Sequence, residues 1–334
     1  MTCQSARFSI CTHSHYQFHI IDSPKKRTFG IGWLASLLII LSVCRGQPDQ
    51  SPVLQPYLLV GESGQSVERT AKTLIGRLFM QDFDILAKYH PANDPDRYVL
   101  VISHNRLRRA VETGGQTAAL ALVMRIAIHA REEMTYISIQ EPRYWGNAFL
   151  QDDYPAAAEH MENFRRLLLG VMPRLRGRFN RSYGGHYTRP LTAGDLRKYR
   201  FKRRSEGLDD LTPLVTFGSF SEAVLAVEEK LGAAPGCDLV FKVQVPNREQ
   251  MLFGVAISAE PGETELLTLP VPDEPDLTAS LPLELLLADN TVYMLPIRYR
   301  VPLAAPGIEK RTFRRLKSLQ ADFIGNLTVV LKSQ

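Results

Sequence analysis

Two stretches of this chain open with the same order of signals, strand, helix, strand, strand, and each then runs on into further strands. That order constrains the fold more than any single motif does. Strands joined by short turns pair antiparallel, and the helix between them lays its apolar stripe on one face of the sheet. In the first stretch Tyr57–Val60 is a short apolar strand, and Ser66 caps a helix with Val67, Ala71, Leu74, Ile75 and Leu78 on one face. Strands are predicted over 83–89, 97–102, 122–130 and 134–140, with a short helix from Asn105 to Gly114-Gly115. Asp153 and Pro155 start a helix that turns Ala157, Met161, Phe164 and Leu168 inward. In the second stretch Leu214–Phe217 is a strand. Ser219 and Glu222 have capping-box spacing ahead of the stripe Phe220, Val224, Val227, Leu231. Strands are expected over 238–245, 251–258, 281–288 and 291–302, a helix over about 308–319 and a returning strand over 322–332. The stretches look like related units, although no residue-level repeat joins them. The expected fold class is α+β. Two α+β domains, 57–172 and 213–334, each form a mostly antiparallel sheet with packed helices, and a basic segment at 173–212 joins them.

Ahead of these units the sequence reads as an address. Lys25-Lys26-Arg27 precede an uncharged run from Phe29 to Cys44. Sixteen helical residues reach about 24 Å, short of the roughly 30 Å hydrocarbon core, so the run suits an export signal better than a permanent span. Residues 1–44 are expected to be a leader and signal, and 45–56 a Pro-rich tether. Leu41-Ser42-Val43-Cys44 resembles a bacterial lipoprotein signal with Cys44 as the lipidated residue, although Val43 is a poor fit. Lipidation, plain cleavage and an uncleaved anchor all stay open. The expected location is the cell envelope, periplasmic or tethered to the membrane and facing the periplasm. A mean hydropathy of -0.13 excludes a polytopic membrane protein. Cys3, Cys11, Cys44 and Cys237 include no CxxC pair, so no zinc or thioredoxin-type site is expected.

The formal charge of +5 hides an uneven layout. From Arg174 to Arg204 there are eleven lysines and arginines against one acid, Asp195, interleaved with Tyr183, Tyr187, Tyr199 and Phe201. Arg197, Lys198, Arg200, Lys202, Arg203 and Arg204 are its densest part and the candidate anion site. The partners such a segment suits are anionic lipid or a polyanionic glycan. Nucleic acid is disfavoured, because an exported protein rarely meets it. Between Arg248 and Arg298 lie nine acids and no lysine or arginine. The two blocks can therefore pair within the molecule or between copies, which would give a homo-oligomer.

Motifs that carry chemistry are scarce. His90 to Asp96 reads as a Pro/Asn/Asp turn, and His104, His129 and His160 have no metal-ligand spacing. Thr113-Gly-Gly-Gln-Thr117 lacks the lysine of a nucleotide-binding loop, no G-x-S-x-G elbow is present, and Cys237 sits beside Asp238. Glu141-Pro-Arg-Tyr-Trp-Gly-Asn-Ala-Phe149 packs three aromatics into nine residues. Arg143, Tyr144, Trp145, Asn147 and Phe149 are therefore the candidate ligand or partner surface. No catalytic set, metal or cofactor is expected. A binding or accessory module is preferred to an enzyme with an inter-domain site and to a structural, self-assembling protein.

The segments EPRYWGNAF (141–149), LTAGDLRKYRF (191–201), GSFSEAVLAVEEKL (218–231), FGVAIS (253–258) and LPLELLLADNTVYMLP (281–296) resemble an uncharacterised family of bacterial exported proteins related to domain of unknown function 302. The resemblance spans about 57–320 and implies an α+β fold and export. It implies no catalytic residue. The arginine density around 174–204 departs from the family pattern, so no shared ligand is carried over.

Overall fold

Ser66 and Ser219 each accept a backbone hydrogen bond from the residue three further on, Arg69 at 3.4 Å and Glu222 at 3.2 Å. From these two caps the same fold is built twice. A computed structural model describes residues 52–172, 180–186, 188–270 and 277–333. The first half runs β1 (Tyr57–Ser63), α1 (Val67–Phe79), β2 (Asp84–Tyr89), β3 (Arg97–Ser103), α2 (Asn105–Val111), β4 (Met124–Arg131), β5 (Met134–Gln140), α3 (Pro142–Leu150) and α4 (Tyr154–Val171). Next come β6 (Arg181–Tyr183) and α5 (Ala193–Arg197). The second half runs β7 (Thr212–Thr216), α6 (Phe220–Ala233), β8 (Cys237–Gln244), β9 (Gln250–Ile257), α7 (Glu263–Leu267), β10 (Leu283–Ala288), β11 (Thr291–Met294), α8 (Ile297–Ala304) and α9 (Lys310–Lys332).

The strand orders match as well. One sheet is β2-β3-β4-β5-β1-β6 and the other β8-β9-β10-β11-β7, read from the equivalent edge, and every pairing is antiparallel. The fold is therefore α+β with two antiparallel sheets. Thr70, Leu74 and Leu78 on α1 are buried, and so are Ala223, Val227 and Leu231 at the same distances from the cap on α6. The residue-level repeat missing from the sequence reading is thus present, but as burial rather than identity.

Residues 51–334 form one compact unit in which the two sheets share a continuous apolar core. The contacts between halves are reciprocal. The turn Gln116–Leu122, before β4, packs on β9 and β10, while the equivalent turn Leu277–Ser280, before β10, packs on β3, β4 and β5. Edge strands β2 and β8 lie side by side. Tyr144, third residue of α3, donates its hydroxyl to Leu303 O at 2.7 Å. Tyr299, third residue of α8, points back to Ala148 O at 3.5 Å. Both acceptors are the seventh residue of their helix. A patch that meets its own counterpart in this way is the isologous arrangement of a dimer, here within one chain.

Covering both faces explains why β10 reads Leu-Glu-Leu-Leu-Leu-Ala without alternation. Close approach also requires Gly254 on β9, because a Cβ there would lie 2.0 Å from the Phe241 ring. Residues 142–150 carry no predicted element, and two predicted strands are corrected. Residues 142–150 form a helix, because Glu141 caps it and Pro142 supplies the preset φ of a first turn. The expected strand over 291–302 ends at Met294, and Ile297–Ala304 is helical after Pro296. The expected strand over 322–332 is the continuation of α9, because Phe323, Leu327 and Leu331 recur with a helical period and are buried.

Candidate functional site

The 141–149 segment does not present a surface. Tyr144, Trp145, Asn147 and Phe149 are all buried. Trp145 Nε1 donates to Pro56 O at 2.9 Å, and its ring packs against Phe149 and Tyr57. Arg143 alone reaches the exterior, where its Nε meets Glu162 at 2.7 Å. The aromatics are inside because α3 is enclosed by α4, α5 and the turn Gln116–Leu122, and Tyr144 bonds to Leu303 of the opposite half. Asn147 is a fastening point for the basic segment: its Nδ2 donates to Arg143 O at 2.7 Å, and its Oδ1 accepts from Arg197 Nε at 2.8 Å.

The basic segment is built by separating its residue types. Tyr183 on β6 stacks on Tyr57 at 5.3 Å, and β6 extends the first sheet beside β1. Thr192 and Asp195 close a capping box around α5, and Leu196 is buried. Tyr199 donates to Pro302 O at 2.8 Å, with burial raising its phenol pKa, and Phe201 stacks on Phe313 of α9 at 4.3 Å. Apolar and aromatic groups turn inward and, Arg197 apart, leave the described cations outside. Arg200 donates to Ser205 O and to Asp210, both at 2.8 Å. The Gly207 N–H and Arg200 hold the Asp210 carboxyl below its ordinary pKa.

Between this segment and the start of α9 lies a groove of about 460 Å³, with Arg189, Lys198, Arg200, Lys310 and His186 on its walls and Asp195 as the acid among them. A second hollow of about 370 Å³ shares His186, Leu191 and Pro306 with it and adds Arg181. Among the described residues, Arg181, Arg189, Lys198 and Lys310 have no ion-pair partner. Of the six candidate cations, Lys198 and Arg200 line the groove and Arg197 turns inward over the Tyr154 ring at 5.6 Å. Lys202 lies over Phe313 at 4.9 Å, and Arg203 and Arg204 are exposed outside the groove. Lys310 and His186 were missed. A signal for Lys310 exists: α9 begins Lys-Arg with no acid in its first turn, where cations oppose the helix dipole.

Two acids of the acidic block are engaged elsewhere, while Asp273, Glu274 and Asp276 lie outside the described residues. Glu284 is buried in an ion-paired cluster with Arg125 of β4 and Arg300 of α8. Arg125 also donates to Leu281 O at 3.1 Å and Pro282 O at 3.3 Å, and Arg300 to Ser280 O and Pro282 O. Burial pushes Arg300 down to about 10, which leaves it charged at neutral pH. Arg125 and Glu284 are each the second residue of equivalent strands, so the two halves meet with opposite charges at matching positions. Glu263 accepts from Tyr89 at 2.9 Å and from the Ala92 N–H at 2.8 Å. Among the described residues no ion pair joins the block to 180–204. Arg97 pairs with Asp94 at 2.6 Å in the turn after His90. The Cys237 thiol is buried, with its pKa pushed up first by burial and then by Asp238. Cys44, Arg174, Arg176, Arg178 and Tyr187 lie outside the described residues. No helix among those described is long and apolar enough to cross a membrane.

No family model matches the chain, and no curated protein does. Among solved structures, the uncharacterized conserved protein DUF302 from Bacillus stearothermophilus is similar over 37% of this chain and 100% of its own, at 13% identity and a TM-score of 0.31.

Proposed function

We propose that this protein is a binding module of the cell envelope that holds a polyanionic ligand in the groove between the basic segment and α9. The observation that carries this reading is the set of unpaired cations, Arg189, Lys198 and Lys310, converging from separate parts of the chain on one concavity. Four cations against the single acid Asp195 leave the groove with net positive charge, and an anion bound there offsets the repulsion. The hollow beyond, with Arg181, lengthens the site and favours a chain of repeated phosphate or carboxylate groups over a single small anion. Tyr199 is committed to Pro302 O, and His186 Nδ1 lies 3.2 Å from both the backbone N and the Oγ1 of Thr188. This groove offers charge and shape, which suits binding. Export and membrane attachment belong to the same reading and rest on Lys25-Lys26-Arg27, the run to Cys44 and the Pro-rich tether.

Fluorescence anisotropy of the purified full chain with an end-labelled linear polyphosphate tests it. Each exposed cation–anion contact is worth about 1 kcal/mol, so Lys198→Ala with Lys310→Ala should weaken binding about 30-fold. Affinity should also fall steeply with added salt. Absence of binding, or a folded double variant that binds unchanged, would overturn the reading.

A further inference from the structure

The two most exposed large apolar side chains among the described residues are neighbours in sequence. Phe79 and Met80, at the end of α1, are each 78% exposed, while Leu78 beside them is fully buried. Beside them lies a hollow of about 510 Å³ between the end of α1, the start of α2 and the last turns of α4. Its lining combines the apolar Met80, Leu167 and Val171 with Arg77, Arg106 and Arg166, and no acid is among the lining residues. None of the three arginines has an ion-pair partner among the described residues, and the Arg166 guanidinium is bonded to Asn163.

We propose that this face docks on the surface of an anionic lipid bilayer, with Phe79 and Met80 inserted among the acyl chains and Arg77, Arg106 and Arg166 on the head groups. Two bare apolar side chains next to a hollow lined by three guanidinium groups fit that partner on two counts. Large apolar side chains left in water gain by entering a bilayer interface, and arginine is matched in charge and geometry to phosphate. A soluble protein partner would be expected to bring carboxylates in fixed positions, whereas unpaired arginines lining a hollow need only a fluid layer of anions. The face is separate from the polyanion groove and uses none of its residues, so either reading can fail alone.

Single cysteines at position 79 or 329 in the full chain, with the native cysteines replaced, carry an environment-sensitive fluorophore. Val329 is the control, being 71% exposed on α9. With vesicles containing phosphatidylglycerol, the label at 79 should shift to the blue and be quenched by a spin label carried on the lipid, and the label at 329 should do neither. Arg77→Gln, Arg106→Gln and Arg166→Gln together should remove most of that quenching, as should vesicles of phosphatidylcholine alone. A label at 79 that stays open to aqueous iodide on membrane-bound protein overturns the proposal. So does a label already shielded before vesicles are added, which would mean that the chain itself or a second copy covers the face. Position 79 touches solvent, and far-ultraviolet circular dichroism should show the fold kept in every variant, the replacement of buried Cys237 included.

Discussion

Glu263 opens α7 at 2% exposure, where an ionised carboxylate is poorly placed. Burial raises it from an ordinary 4.5 to about 7, against the pull of the Ala92 N–H and the Tyr89 hydroxyl, and Asp238 adds to the rise. Between those two pH values the folded chain holds a proton that the unfolded chain has released. Stability is thus fully supported below about pH 4.5 and falls as pH rises through 7, by an amount on the order of 3 kcal/mol. Glutamine keeps a neutral group that still accepts from Ala92, and the Tyr89 oxygen can accept from its amide. Urea midpoints of wild type and Glu263→Gln should therefore agree near pH 4.5 and separate by pH 8, with the variant the more stable. A constant gap across that range would show that Glu263 does not titrate there. Sequence counts Glu263 as one of nine acids. Its burial depends on the turn after β2 reaching α7 from the other half, which no local pattern encodes.

At the scale of elements, features held by contacts between near neighbours are legible in the sequence. Ser66 and Ser219 announce their helices because a cap is a contact between residues three apart. The apolar strands followed from composition and turn residues. Helices α3 and α8 were lost for the opposite reason. Both are short and almost wholly buried through contacts distant in sequence, so no local pattern sets them apart from a strand or a surface segment. Tyr144, Trp145 and Phe149 look like a sticky surface for the same reason, although Trp145 and Phe149 pack within the first half and Tyr144 reaches into the second. The pair Arg-Tyr at 143–144 and 298–299 is the trace of the repeat, too short to stand out without the fold. Tyr144→Phe strands Leu303 O inside the protein and should cost about 1–3 kcal/mol. At 3.5 Å the reciprocal bond of Tyr299 is weaker, so Tyr299→Phe should cost clearly less. Denaturant unfolding of the two variants gives the comparison. Equal losses would mean that the hydroxyls contribute alike and that the difference in length carries no energetic weight.

Two sheets in one chain invite the expectation of two domains that melt apart, and the connections argue otherwise. Each half places a turn on the strands of the other, and each sends a tyrosine into the other's helix. Between them lies a cluster whose charges come from both sides, with Arg125 from the first half and Glu284 and Arg300 from the second. Separating the halves would expose a continuous apolar core and uncover two arginines and a glutamate together, so neither half retains its own stability once parted. The expected outcome in scanning calorimetry is one transition whose calorimetric and van't Hoff enthalpies agree. Glu284→Gln tests the coupling directly. It leaves two buried guanidinium groups without their counter-ion, at a cost of about 3–5 kcal/mol, and should lower that single transition by roughly 5–8 °C without splitting it. A nick by trypsin in the exposed Arg203–Arg204 stretch should likewise leave the halves bound to one another, since the cut removes a covalent link and none of the contacts above. If the variant instead shows two separate transitions, with one at the wild-type temperature, the charge cluster serves the second half alone and the reciprocal contacts do not bind the molecule into one cooperative unit.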